Sequence, residues 1–176
     1  MIEIKDVTIK DAKALLKIYE YYVLNTAITF EIKVPTLNEF KKRIADIIKK
    51  YPYICILENN KIVGYAYSYE FKGREAYKYS NEVSIYLDKN YLKKGYGKLL
   101  YIELEKRLKE NGIKNLYACI SSPIKEDAYL NNNSEEFHQH LGYKKIGLFT
   151  KCGYKFNNWY NMIWMEKIIG NHENGE

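Results

Sequence analysis

The first ten residues, MIEIKDVTIK, alternate apolar and charged side chains, the period of a strand with one covered face. From Thr8 onward the period lengthens. Ala12, Leu15, Tyr19, Tyr22 and Val23 fall on one helical face, and Thr8 with Asp11 has the spacing of a capping box. The loop NTAITFE (25–31) follows, then a second helix capped by Thr36 and Glu39, with Leu37, Phe40, Ile44, Ile47 and Ile48 as its stripe. YICILENNKIVGYAYSY reads as two strands joined at Asn59-Asn60. In the next strand, 81–88, Val83, Ile85 and Leu87 point one way while Glu82, Ser84 and Tyr86 point the other. Leu100, Leu104 and Leu108 repeat at helical spacing up to Asn111-Gly112. NLYACIS (115–121) is a strand, SEEFHQHLGY holds a short helix ending at Gly142, and YKKIGLF and NMIWMEK complete a sheet. Helices and strands alternate without a repeat or linker. The expectation is one α/β (α+β) domain over residues 1–168, with 169–176 as a flexible tail.

Composition narrows the function classes. The 28 basic and 22 acidic residues give a net charge of +6, spread along the chain. That balance fits a solvated basic surface or a basic cleft for an acidic ligand. No zinc-finger or RNA-recognition signature accompanies it, so no nucleic-acid partner is expected. No apolar run approaches the ~20 residues of a membrane span, and the first residues lack an apolar signal segment. Cys55, Cys119 and Cys152 are odd in number and far apart, which points to a reducing, cytoplasmic setting. His138 and His140 have no second ligand pair, so no metal site is expected. Nineteen tyrosines are many for this length and suit half-buried cleft walls.

One stretch carries candidate chemistry. YLKKGYGKLL (91–100) places a basic glycine turn between a strand and a helix. The free N–H groups at the helix start form an anion site, Gly95 and Gly97 let phosphate oxygens approach, and Lys93, Lys94 and Lys98 add charge. The dinucleotide fingerprint needs a third glycine where Leu100 stands, and a Walker loop needs Ser or Thr where Leu99 stands. Taken alone, the turn leaves a phosphate site and a plain helix entry both open.

Gly95-Tyr96-Gly97 resembles the pyrophosphate loop of the GNAT superfamily of acetyl-CoA-dependent N-acetyltransferases; Leu92 stands where that pattern has Arg or Gln. Four further segments resemble the phosphinothricin and methionine-sulfoximine N-acetyltransferases. They are VLNTAITFE with Phe30 and Glu31; FKGREAYKYSNEVSIYL with Phe71, Arg74, Tyr77, Glu82 and Tyr86; NNNSEEFHQHLGY with Asn131, Ser134, His138, Leu141 and Gly142; and GYKFNNWYNMIWME with Lys155, Phe156 and Trp159. The resemblance implies a single GNAT-like domain: a central mixed, mostly antiparallel twisted sheet flanked by helices. It also implies a homodimer, and acetyl-CoA (coenzyme A) as cofactor.

The resemblance further implies roles for residues. Glu82 is the expected base for a small-molecule amine acceptor, and His138 the expected proton donor to the leaving thiolate. The backbone of Val83, Ile85, Tyr86 and Leu87 would polarise the thioester oxygen. Leu92, Lys93, Lys94, Gly95, Tyr96, Gly97 and Lys98 would hold the pyrophosphate, and Asn131 and Ser134 the cofactor arm. Arg74 would grip a substrate carboxylate, with Tyr77, Phe30 and Lys155 around the acceptor. SSPIKEDAYL (121–130) is longer than the family's loop there and lies beside the expected thiol. Acetylation of a polyamine, peptide N-terminus or antibiotic, and an acyl-CoA-binding module without turnover, are the competing readings.

Overall fold

The computed structural model describes residues 1–173. Strand β1 (Ile2–Asp6) leads through a 3-10 turn at Ile9–Asp11 into helix α1 (Ala12–Asn25). The Thr8–Asp11 capping box forms as expected, but it caps that turn, and the α-helix proper begins at Ala12. Helix α2 (Leu37–Ile47) starts at the Thr36–Glu39 box, where Glu39 N–H donates to Thr36 Oγ1 at 3.2 Å. Strands β2 (Tyr53–Glu58) and β3 (Lys61–Glu70) meet at Asn59-Asn60, both with positive φ (50° and 65°), as a two-residue hairpin requires. Then come β4 (Ser80–Leu87), α3 (Tyr96–Glu110), β5 (Asn115–Ser122), α4 (Asn133–His140), β6 (Lys144–Lys155) and β7 (Asn158–Ile168).

The seven strands form one sheet in the order β1-β2-β3-β4-β5-β7-β6. Every adjacent pair is antiparallel except β4 and β5, which run parallel. The mixed, mostly antiparallel sheet that the family resemblance implies is therefore present. Strands β6 and β7 are longer than their apolar patterns imply. They meet at Phe156-Asn157, both at positive φ, a turn that Phe conceals because it is a rare residue there.

Helices cover both faces. On one, Leu100, Leu104 and Leu108 of α3 are fully buried against Ile54, Ile56, Val83 and Leu116. Burying such a side chain contributes about 1.5–3 kcal/mol, and the three leucines anchor α3 beneath the middle of the sheet. On the other face, Leu15, Tyr19, Tyr22, Phe40 and Ile44 of α1 and α2 pack on Tyr53, Cys55 and Tyr65. A satellite core of Ala27, Leu130 and Tyr160, with Phe30 against it, joins loop 25–31 to loop 121–130. Beyond β7 the chain stays attached: Ile169 and Gly170 N–H donate to Lys114 O, and His172 Nε2 lies 2.7 Å from Asn115 Oδ1. Of the expected tail, residues 174–176 lie outside the described residues. No described helix is long and apolar enough to cross a membrane.

Candidate active site

The site begins where two strands part. β4 pairs with β5 only at Ser80, Asn81 and Glu82, opposite Asn115, Leu116 and Tyr117. Past Glu82, β4 continues along β3 while β5 continues along β7. Every second residue of β4 from Val83 on thus turns its backbone N–H and C=O toward a gap instead of a neighbouring strand. The resulting cleft is walled by Val83, Ser84, Ile85 and Tyr86 on one side and by Ala118, Cys119, Ile120 and Ser121 on the other. Tyr101, Ser134 and His138 form its inner wall, and Ile28 of loop 25–31 its rim. Ser121 Oγ donates to Ile28 O at 3.1 Å and fastens that rim to β5.

At the open end stands the basic turn. Gly95 is the N-cap of α3 at φ 82°, a left-handed conformation that strains any side chain, and its exposed face is open. The first N–H groups of α3 have no carbonyl within the helix, so they and the helix dipole face this opening. Lys93 and Lys98 are exposed beside it, as is Leu92. Lys94 leans away: its Nζ lies 3.4 Å from Glu58, which also accepts from the Tyr96 hydroxyl. Gly97 answers a different need from the one expected. A Cβ there would lie 3.0 Å from two ring carbons of Phe137, so this glycine admits α4 against α3. The turn presents backbone donors, Lys93 and Lys98 to an anion such as a diphosphate, and the strand gap adjoins it.

Glu82 sits at the fork, half-buried. Burial pushes its carboxyl up, while Tyr69 and Lys72 pull it back, leaving it above the usual carboxylate range. Lys72 Nζ lies over the rings of Phe71 (5.0 Å) and Trp164 (5.8 Å). Phe71 stacks on Tyr117 at 4.2 Å and meets Tyr77 edge-on at 5.8 Å. Arg74 is exposed on the turn between β3 and β4 and forms no ion pair with the described residues. The cation whose charge reaches Glu82 is thus Lys72, with Arg74 two residues further out. Cys119, read from the sequence only as an unpaired cysteine, lines the cleft, and burial and Glu82 push its thiol up to about 12.

His138 is 3 % exposed. Its Nδ1 is 2.7 Å from Ser134 O and its Nε2 3.0 Å from the Tyr101 hydroxyl. A carbonyl only accepts, so Nδ1 carries the proton and Nε2 accepts from Tyr101. Burial pushes the imidazole down to about 4, so it is neutral near pH 7. The acid proton expected of His138 is therefore not available in this conformation, since its one N–H is committed to Ser134. Asn131 Oδ1 accepts from Asn133 N–H at 3.1 Å at the start of α4, and Ser134 lies one turn before His138.

Lys155 and Phe30 hold the far wall. Lys155 is 5 % exposed, donates to Thr29 O at 2.8 Å, and is pushed down to about 8 by burial. The Phe30 ring lies so near Gly153 that a Cβ there would come within 2.4 Å. Both residues fix loop 25–31 to β6, and neither opens freely to the cleft. The long 121–130 loop is tied down beside them. Asp127 accepts from Tyr129 N–H (2.7 Å), Leu130 N–H (2.8 Å) and the Tyr160 hydroxyl (2.7 Å). Burial works against the Asp127 carboxylate, but these bonds hold it below its usual range.

Sequence reading missed Tyr69, Lys72, Tyr101, Cys119 and Ile28 as parts of the site. Tyr101 carried a usable signal, one turn beyond Gly97 on the same helix.

This architecture recurs in known proteins. The profile of a family described as Acetyltransferase (GNAT) domain matches residues 4–164. A phosphinothricin N-acetyltransferase of Streptomyces viridochromogenes is 27 % identical over 166 residues, 94 % of this chain and 87 % of that protein. An L-methionine sulfoximine/L-methionine sulfone acetyltransferase of Salmonella typhimurium is 26 % identical over 163 residues, 92 % of this chain and 91 % of that one. The crystal structure of a GNAT superfamily phosphinothricin acetyltransferase from Sinorhizobium meliloti in complex with AcCoA superimposes with a TM-score of 0.88. It is 30 % identical, and the match covers 96 % of this chain and 89 % of that one. With the strand fork, the glycine turn and a family profile spanning most of its length, this chain belongs to the GNAT family of acetyltransferases and uses acetyl-CoA.

Proposed function

We propose that this enzyme acetylates the α-amine of a small amino acid or amino-acid analogue resembling phosphinothricin or methionine sulfoximine. The observation that carries the reading is Glu82, half-buried at the fork where β4 leaves β5. Acetyl-CoA, when bound, supplies the acetyl thioester. The backbone donors of Gly95 to Lys98, with Lys93, would hold its diphosphate, and Asn131 and Ser134 border its arm. Glu82 takes a proton from the acceptor's ammonium group, which has an ordinary pKa of ~8, and later releases it to water. Backbone N–H groups of β4 between Val83 and Leu87 face the gap and suit a carbonyl oxygen. As the amine bonds to the acetyl carbon the C–S bond breaks, and the coenzyme A thiolate takes its proton from water; at the inner wall the Tyr101 hydroxyl donates to His138 Nε2.

Two cations suit the acceptor's carboxylate. Arg74 offers a planar fork at the mouth, and Lys72 a point charge beside Glu82. Tyr77 and Phe71 line the way in, and Phe30 and Lys155 brace the opposite wall. Three free cysteines fit a reducing, cytoplasmic setting. Edge strand β6 exposes Leu148, Phe149 and Tyr154 beside Trp159 of β7, a face suited to a second copy of the chain.

The test is incubation with acetyl-CoA, a thiol reagent and a panel of amines. Thiol release with methionine sulfone, methionine sulfoximine or phosphinothricin supports the reading. Preference for polyamines or aminoglycosides, or no turnover with any amine, overturns it. Sedimentation at micromolar concentration tests the dimer.

A further inference from the structure

Glu82 does not stand alone on its sheet face. Tyr69 of β3 is its direct partner across the antiparallel ladder, so the two side chains leave the sheet together. Side by side on one face, the Tyr69 hydroxyl is placed to donate to the Glu82 carboxylate, and it pulls that carboxyl down. The Tyr69 ring stacks on Tyr67 at 5.9 Å, which fixes the direction of that hydroxyl.

We propose that Tyr69 is a positioning residue for the base: its hydroxyl holds one oxygen of Glu82 and leaves the other to receive the acceptor's proton. The proposal rests on the reading of Glu82 as the base. A half-buried carboxylate with no donor would either protonate or turn toward Lys72, and both would remove it from the amine. Lys72 is a flexible cation that a substrate carboxylate can draw away. Tyr69 is neutral and held by its neighbour on the sheet, so it stays when the acceptor arrives. It also keeps its proton, because burial and the adjacent carboxylate push the phenol well above its usual range. Tyr69 thus remains a donor while Glu82 cycles between charged and neutral forms. The other titratable groups facing Glu82 are Lys72 after β3, Tyr67 on β3, and Tyr117 and Cys119 on β5. Lys72 is the one cation among these.

Tyr69→Phe keeps the ring and its stacking and removes only the donor. The carboxyl of Glu82 is titrated by carbon NMR in the cofactor-free protein, with Glu82→Gln identifying its signal. In Y69F the midpoint should move up, because a bond that favours the charged form is gone. The acid limb of the kcat/KM profile should move the same way. The loss should be roughly tenfold below that limb and shrink as pH rises, with acetyl-CoA affinity unchanged. Melting curves recorded alongside confirm that Y69F is folded. If E82Q loses activity while Y69F titrates and turns over like the wild type, Tyr69 merely packs and the proposal is wrong. If E82Q turns over normally, the base reading itself fails, whatever Y69F does.

Discussion

Gly97 on α3 faces the ring of Phe137 on α4, and a Cβ on that glycine would come within 3.0 Å of two ring carbons. Gly95, two residues earlier, faces open space at φ 82°. One glycine serves helix packing and the other the backbone turn, although they look alike in the sequence. Substitutions should separate them. Gly97→Ala should lower stability by about 1–3 kcal/mol, because Phe137 must yield. Gly95→Asp should leave the fold standing with modest strain and nearly abolish acetyl-CoA binding, because a carboxylate enters the anion's approach. Denaturant unfolding and calorimetry read the two effects. Unchanged acetyl-CoA affinity in Gly95→Asp would remove the diphosphate assignment.

Glu82→Gln should lower turnover by roughly 10²-fold, with acetyl-CoA affinity little changed. Glutamine preserves the shape and an oxygen that can accept from Tyr69, but it cannot accept the proton. Steady-state rates across pH are the measurement, and a wild-type profile would point to solvent as the base.

The two cations near the acceptor should differ in their signatures. Arg74→Ala should cost about 2–4 kcal/mol of transition-state stabilisation with α-carboxylate acceptors and little with decarboxylated analogues. Lys72→Ala should in addition move the acid limb of the profile upward, because Lys72 is the cation that lowers the Glu82 carboxyl. Equal turnover of methionine sulfone by Arg74→Ala and the wild type would eliminate the clamp at Arg74.

His138 makes stability pH-dependent in a defined direction. Its folded value, about 4, lies below the ordinary 6.5. Between these, the unfolded chain binds a proton that the folded one refuses, so stability is lost as pH falls from 6.5 toward 4. The full effect is of the order of 3 kcal/mol. His138→Gln should lose this component. The difference in urea unfolding free energy between wild type and variant should therefore narrow from pH 7 to pH 4.5. A constant difference would mean that His138 titrates normally.

Much of the molecule follows from local chemistry. The Thr36–Glu39 box, the Asn59-Asn60 turn and the α3 leucine stripe each involve residues a few positions apart, and each forms where the sequence puts it. The same holds for Glu82 and the glycine turn, because a strand's alternation and a helix's start are short-range facts. What tertiary structure decided is which distant residues meet. Tyr69 reaches Glu82 only through the β3–β4 register, set across the 71–79 turn. Tyr101 reaches His138 only because Gly97 lets α4 close on α3. Lys155 becomes a buried clamp on Thr29 instead of a free cation because the β6–β7 hairpin folds over loop 25–31. Burial also turned His138 from a nominal acid into a neutral acceptor. Side-chain chemistry is written in the chain, but the solvent and partners that set protonation and reach depend on segments far away in sequence, which no local pattern records.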